Sequence, residues 1–125
     1  MEIEETRIVA DEGAVLRNIY SGIDRATQDA YIAVLGSKEA MRAALNWYRA
    51  IDLGGTSLLG AVDLPTMFIW SDQDQALGPD GAKLTAQFVT GPYRFEVLRG
   101  IDHWIPDKAP ERLSALLLDA FGAAA

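Results

Sequence analysis

The chain has 125 residues, a net charge of −7, a pI near 4.5 and no cysteine, a length that suits one domain of ordinary size. Half of its residues are hydrophobic, which excludes wholesale disorder, and an acidic balance with scattered Lys and Arg excludes a phosphate-tracking nucleic-acid binder. No disulfide frame or thiolate zinc site can form without cysteine, and the acidic opening Met1-Glu2-Ile3-Glu4-Glu5 lacks the charge and apolar run of a secretory leader or a membrane span, so a soluble cytoplasmic protein without a membrane partner is expected.

The first twenty or so residues offer Ile8, Val9, Val15, Leu16 and Ile19 without a clean period and read as helix or loop. From Asp24 the pattern sharpens. Asp24 is placed to cap a helix over residues 24–35 whose apolar positions are Ala30, Tyr31, Val34 and Leu35, and Gly36 is its natural stop. Ser37 caps a second helix, reaching about Ala50, in which Met41, Ala44, Leu45 and Tyr48 follow the i, i+3, i+4, i+7 stripe. The run Asp52-Leu53-Gly54-Gly55-Thr56-Ser57 has the richest turn composition in the chain and marks a connection between two parts, 1–55 and 56–125.

Beyond Pro65 the apolar run Thr66-Met67-Phe68-Ile69-Trp70 is too short for a helix and suits a strand covered on both faces. A helix over residues 81–89 with Leu84 and Phe88 on one side ends at Gly91-Pro92, and Tyr93-Arg94-Phe95-Glu96-Val97-Leu98 alternates as a second strand. Strand, helix, strand at this spacing predicts a right-handed parallel crossover. Pro110 fits the first turn of a last helix with the stripe Leu113, Leu116, Leu117 and Ala120 before Gly122. The fold class is thus α/β: helices, then a parallel β-α-β-α unit.

In a parallel crossover both strand ends emerge on one edge of the sheet, where ligands of open α/β folds bind. That edge carries Asp72 and Asp74 after the first strand and the only histidine, His103, after the second. With adjacent strands about 4.8 Å apart, Asp74 and His103 can meet in a hydrogen bond, the acid fixing the tautomer of the base. A histidine followed by Trp104 and Ile105 also has a plain structural reading, as a packed or capping residue. A calcium loop through Asp72, Asp74, Gly78 and Asp80 is rejected, because Ala76 and Lys83 stand where it needs an oxygen ligand and a terminal glutamate.

Three runs in order, Leu45-Asn46-Trp47-Tyr48-Arg49-Ala50, then residues 65–78 from Pro65 through Trp70 and Asp74 to Gly78, then Asp102-His103-Trp104-Ile105-Pro106, closely resemble the C-terminal part of the α/β-hydrolase superfamily. The nearest branch is that of the epoxide hydrolases and haloalkane dehalogenases, and the resemblance covers residues 24–121. It implies a partial α/β-hydrolase fold, with the end of a helical cap in residues 1–55 and the last two core strands in 56–125. It implies catalytic roles for Asp74 as triad acid, His103 as triad base and Tyr48 as a cap tyrosine donating a hydrogen bond to an epoxide oxygen. Tyr48 equally continues the apolar stripe of its helix. Ser71 and Asp102 stand where relatives often have glycine and serine.

No Gly-x-nucleophile-x-Gly turn occurs in these residues; the nearest approach, Gly55-Thr56-Ser57-Leu58-Leu59-Gly60, has the wrong spacing. In the family that turn and the oxyanion loop would precede Met1. The chain by itself is therefore expected to be inactive, needing either an N-terminal half as partner, with a small hydrophobic substrate, or associating as a homo-oligomer through an exposed sheet edge. The alternative is a truncated, non-catalytic interaction module. No cofactor or metal is implied, since triad hydrolysis requires only water.

Overall fold

The computed structural model describes residues 2–51 and 60–122. The turn-rich run 52–57, the expected boundary at 55/56, residues 55–59 of the elbow-like run and the alanines 123–125 lie outside the described residues. The chain divides into two units, Met1–Ser57 and Leu58–Ala125.

The first unit is helical, with α1 (Glu2–Ile19), α2 (Arg25–Leu35) and α3 (Lys38–Ala50). The poor periodicity of the opening residues has a structural counterpart: α1 is broken at residues 10–13, where Asp11, Glu12 and Gly13 take φ values of 50°, 53° and 75°. Three left-handed residues in a row interrupt the hydrogen-bond ladder and turn the apolar face. Asp24 caps α2 as its sequence position requires, accepting from the Thr27 N–H at 3.1 Å and the Thr27 hydroxyl at 2.6 Å. Ser37 caps α3 through the Ala40 N–H at 3.1 Å. Gly36 ends α2 in a right-handed conformation, φ −77°. Its need for glycine is spatial, because a Cβ there would lie 2.5 Å from the Ile32 carbonyl oxygen.

Leu16, Tyr20, Ile23 and Met41 form the buried apolar core of this unit, with the Tyr20 and Tyr31 rings 5.3 Å apart. The packed face of α2 is rotated from the expected stripe. Tyr31, Ile32 and Leu35 are half-buried whereas Ala30 and Val34 are exposed; Gln28, one turn earlier on that same face, donates to the Tyr20 and Ile23 carbonyls at 3.1 and 2.9 Å and ties this side of the helix to the preceding turn. Glu5 is also buried; its Oε1 accepts from Arg49 Nη2 at 3.0 Å.

The second unit holds β1 (Thr66–Ser71), α4 (Pro79–Leu84), a 3-10 turn (Thr85–Phe88), β2 (Tyr93–Leu98), α5 (Ile105–Lys108) and α6 (Pro110–Gly122). The strands pair in parallel, Thr66 opposite Tyr93 through Ser71 opposite Leu98, and a further parallel bridge joins Val62 to Val89. Phe68 and Phe95 stack across the strands with centroids 5.7 Å apart. Among the described residues these two strands make up the whole sheet.

Three expectations are corrected here. The crossover helix begins at Pro79 rather than residue 81, because the proline ring presets the first helical φ, and its last turn tightens to 3-10 geometry. Its buried residue is Ala82, while Leu84 and Phe88 are exposed. Strand β1 is half-buried along its length, with only Ser71 enclosed, so it is not covered on both faces. Alternation in β2 does not sort its residues by burial: Phe95 and Val97 are exposed and Glu96 is half-buried, since Arg94 spans from Glu96 at 2.6 Å to Asp119 on α6. The stripe Leu113, Leu116, Leu117 and Ala120 does form the half-buried face of α6. No helix among the described residues is long and apolar enough to cross a membrane.

Candidate active site

Parallel pairing brings the segments after Ser71 and after Leu98 out side by side, and backbone groups stitch them together. The Asp72 N–H donates to the Leu98 carbonyl at 3.3 Å, and the Gln73 N–H to the Ile101 carbonyl at 3.0 Å. Asp72 returns the link by accepting the Gly100 N–H at 2.7 Å. Gly100 has φ +75°, a left-handed conformation that glycine adopts without the steric cost a side chain incurs. Beneath this, the fully buried Ser71 hydroxyl donates to the Asp102 carbonyl at 2.7 Å.

Within the acid segment Asp74 organises its own turn. Its Oδ1 accepts the N–H groups of Ala76 and Leu77 at 2.8 and 2.9 Å, an arrangement typical of Asp in turns. The indole N–H of Trp70 donates to the Leu77 carbonyl at 2.9 Å and closes the loop back on the strand. Oδ2 of Asp74 remains for His103, whose Nδ1 lies 2.9 Å away.

The Asp74 side chain is 5% exposed and that of His103 41% exposed. Burial pushes the Asp74 carboxyl upward, but the Leu77 N–H, the His103 ring and the Ala76 N–H outweigh it and hold the group below the ordinary aspartate range. An ionised carboxylate only accepts, so the neutral imidazole carries its proton on Nδ1 and presents a lone pair on Nε2. The Trp104 ring meets the imidazole edge-on, centroids 5.2 Å apart. A buried acid, an oriented base and a partly open ring together can accept a proton from water and stabilise the resulting imidazolium.

The two aspartates of the first loop thus have separate tasks: Asp72 fastens the loops, and Asp74 holds the histidine. The described residues contain no cluster of three or more His, Asp or Glu groups placed to hold a metal ion. Tyr48 lies on α3 in the other unit. It is 68% exposed and meets the Trp47 ring edge-on at 5.2 Å. The packed stripe of α3 runs through Met41, Ala44 and Leu45 and stops short of Tyr48, so the phenol is not a core residue of its unit.

Sequence reasoning missed Ser71, Gly100, Asp102 and Lys108 as parts of this site. Asp102 accepts the Trp104 N–H at 3.1 Å through Oδ1 and pairs with Lys108 through Oδ2. Burial raises the Asp102 carboxyl, but Lys108 and the Trp104 N–H pull it below the ordinary range, the like charge of Asp74 working with burial against them. Only the i, i+6 spacing of Asp102 and Lys108 around Pro106 offered a signal for this contact.

No protein-family model matches the sequence. Among curated proteins, the chain is 27% identical to Epoxide hydrolase A of Mycobacterium tuberculosis, over 87% of this chain and 40% of that protein. It is 24% identical to Epoxide hydrolase 3 of Xenopus tropicalis, over 83% of this chain and 28% of that protein. Among solved structures, Epoxide Hydrolase A from Mycobacterium thermoresistibile superposes with a TM-score of 0.79 at 20% identity, covering 93% of this chain and 47% of that one. The chain therefore spans less than half the length of these relatives.

Proposed function

We propose, for a chain that carries a partial α/β-hydrolase fold and resembles the epoxide hydrolases in sequence, that residues 1–55 are the end of a cap and 56–125 the end of a catalytic core, and that Asp74 and His103 are the acid and base of a hydrolase of the epoxide type. The single observation that carries this reading is the 2.9 Å bond between His103 Nδ1 and Asp74 Oδ2, made at adjacent strand ends.

In this mechanism a carboxylate nucleophile opens the epoxide of a small hydrophobic substrate, and the Tyr48 hydroxyl offsets the charge growing on the epoxide oxygen. The product of that step is an ester between enzyme and substrate. His103 Nε2 then removes a proton from water as its oxygen adds to the ester carbonyl, and Asp74 stabilises the imidazolium until that proton passes to the alcohol oxygen as the acyl C–O bond breaks; the regenerated carboxyl loses its own proton to solvent, which balances the proton taken up by the opened epoxide oxygen. The nucleophile and oxyanion donors belong to a complementary N-terminal half, so the chain alone is inactive. A cytoplasmic setting, consistent with the lack of cysteine, is part of the same reading.

The complementing half is read as adding a strand to β1. Thr66 and Asp72 direct their N–H groups to Pro92 and Leu98 on the β2 side, so the intervening Met67, Ile69 and Ser71 turn their peptide groups to the other edge. That same edge supports the second reading, a non-catalytic module that pairs with itself or another chain.

The test is epoxide turnover by the chain alone and after co-expression with the N-terminal half of a related epoxide hydrolase. Turnover is expected only in the complemented sample and must be lost in His103→Gln. Undiminished turnover in that variant would overturn the assignment; a complex that assembles but never turns over would favour the interaction module.

A further inference from the structure

The residue before the proposed base is held more firmly than any mechanism through His103 and Asp74 alone requires. Asp102 is anchored on three sides: its carbonyl takes the hydroxyl of Ser71, which is wholly buried at the end of β1; its Oδ1 takes the Trp104 N–H; and its Oδ2 pairs with Lys108 of α5. Lys108 is itself fixed from the backbone, since its N–H donates to the Trp104 carbonyl at 2.9 Å. The side chains of Asp102 and Lys108 are 31% and 22% exposed, enclosed enough for the ion pair to escape much of the screening that weakens surface pairs.

Asp102 is also the carboxylate nearest in sequence to His103 and within electrostatic reach of Asp74. Left alone, it would be a rival acceptor for the imidazole N–H and a like charge beside the acid. Lys108 engages one of its oxygens and neutralises it, while the Trp104 N–H occupies the other.

We infer that Asp102 and Lys108 form a latch that positions His103, pinning its turn to α5 and keeping Asp102 from competing with Asp74 for the Nδ1 proton. Both are positioning residues, acting through His103. The inference rests on Asp74 and His103 being one acid–base pair.

Because His103 is the only histidine, the full chain labelled with 15N-histidine reports the site without overlap. Near neutral pH the wild-type ring is expected as the Nδ1–H tautomer with a protected, downfield Nδ1 proton. Lys108→Met should speed exchange of that proton about tenfold and admit the other tautomer, in keeping with loss of one charge-assisted contact. Asp102→Asn, which keeps an acceptor for Trp104 but loses the ion pair, should do the same to a smaller degree, and Lys108→Arg should restore the wild-type signal. A folded Lys108→Met or Asp102→Asn chain with unchanged tautomer and exchange overturns the latch; should one variant lose its dispersed amide spectrum, the other decides. Asp74→Asn separates the two readings. If that variant leaves the tautomer and the protected proton as in wild type, the Asp74–His103 pairing fails, whatever Lys108 does.

Discussion

The two units reach order by different means. In Met1–Ser57 the helix boundaries follow from local rules, caps at Asp24 and Ser37 and an i, i+4 stripe at Met41 and Leu45, and long-range contact enters through the apolar core of Leu16, Tyr20, Ile23 and Met41 and the Glu5–Arg49 pair. In Leu58–Ala125 the site depends on bonds between residues about thirty apart in sequence, Asp72 to Gly100, Ser71 to Asp102 and Asp74 to His103. The first kind of order tolerates change one turn at a time. The second ties side-chain bonds to backbone pairing, so a disturbance of either strand end reaches the Asp74–His103 bond.

The strongest way to break this contrast is through activity. In the complemented enzyme, His103→Gln and Asp74→Asn should each lower turnover by about a thousandfold or more, the scale at which a triad member acts. Tyr48→Phe in the helical unit should lower it by about ten- to a hundredfold, as loss of one donor to a developing oxyanion does. Equal losses at all three positions would erase the distinction between the units.

Backbone crowding gives the next effect. A Cβ on Gly91 would lie 2.4 Å from the Asp63 carbonyl oxygen and 2.7 Å from that of Leu64, so Gly91→Ala should destabilise the sheet unit by about 2–3 kcal/mol in urea unfolding. Gly81→Ala in α4 meets nothing within 4 Å and should be neutral or slightly stabilising. In the helical unit, Ser37→Ala removes a cap and should cost about 1 kcal/mol. A fall in the protection of sheet-unit amides in that variant would show that the units do not respond separately.

The smallest effect expected is the pH response of the site carboxylates. Asp74 and Asp102 titrate below the ordinary range in the folded chain. Their contribution to stability is therefore fully present above the unfolded aspartate value of about 3.9 and is lost as pH falls below it, through the depressed values. Asp74→Asn should flatten that acid limb in a plot of unfolding midpoint against pH. An unchanged limb would place the acid sensitivity elsewhere, for instance at Glu5 and Asp24, which are also held low.

Much of the fold was legible because short-range physics governs it. Asp24 and Ser37 declare helix starts, Pro110 and the leucines declare α6, and the apolar run to Trp70 declares a strand. The crossover helix was misplaced by two residues because Pro79 as a first helical residue outweighed the periodicity of Leu84 and Phe88. The broken α1 was unreadable, since nothing in Asp11 and Glu12 announces a left-handed backbone. Asp74 and His103 were legible as strand-end residues able to meet, and Tyr48 is singled out by resemblance alone. Ser71, Gly100 and Lys108 were not, because their partners are set by which carbonyl or carboxylate the parallel register carries alongside them.

The sequence by itself determined the α/β order of elements, the aspartates and the histidine at the two strand ends and the resemblance to the epoxide hydrolases, all of which rest on local pattern and motif. Only the tertiary structure decided that Asp72 fastens the loops, that Asp102 is held by Lys108, and that the Tyr48 phenol is exposed. Those are properties of hydrogen-bond geometry, and a carboxylate's partner is chosen by distance and direction that residue type alone does not encode.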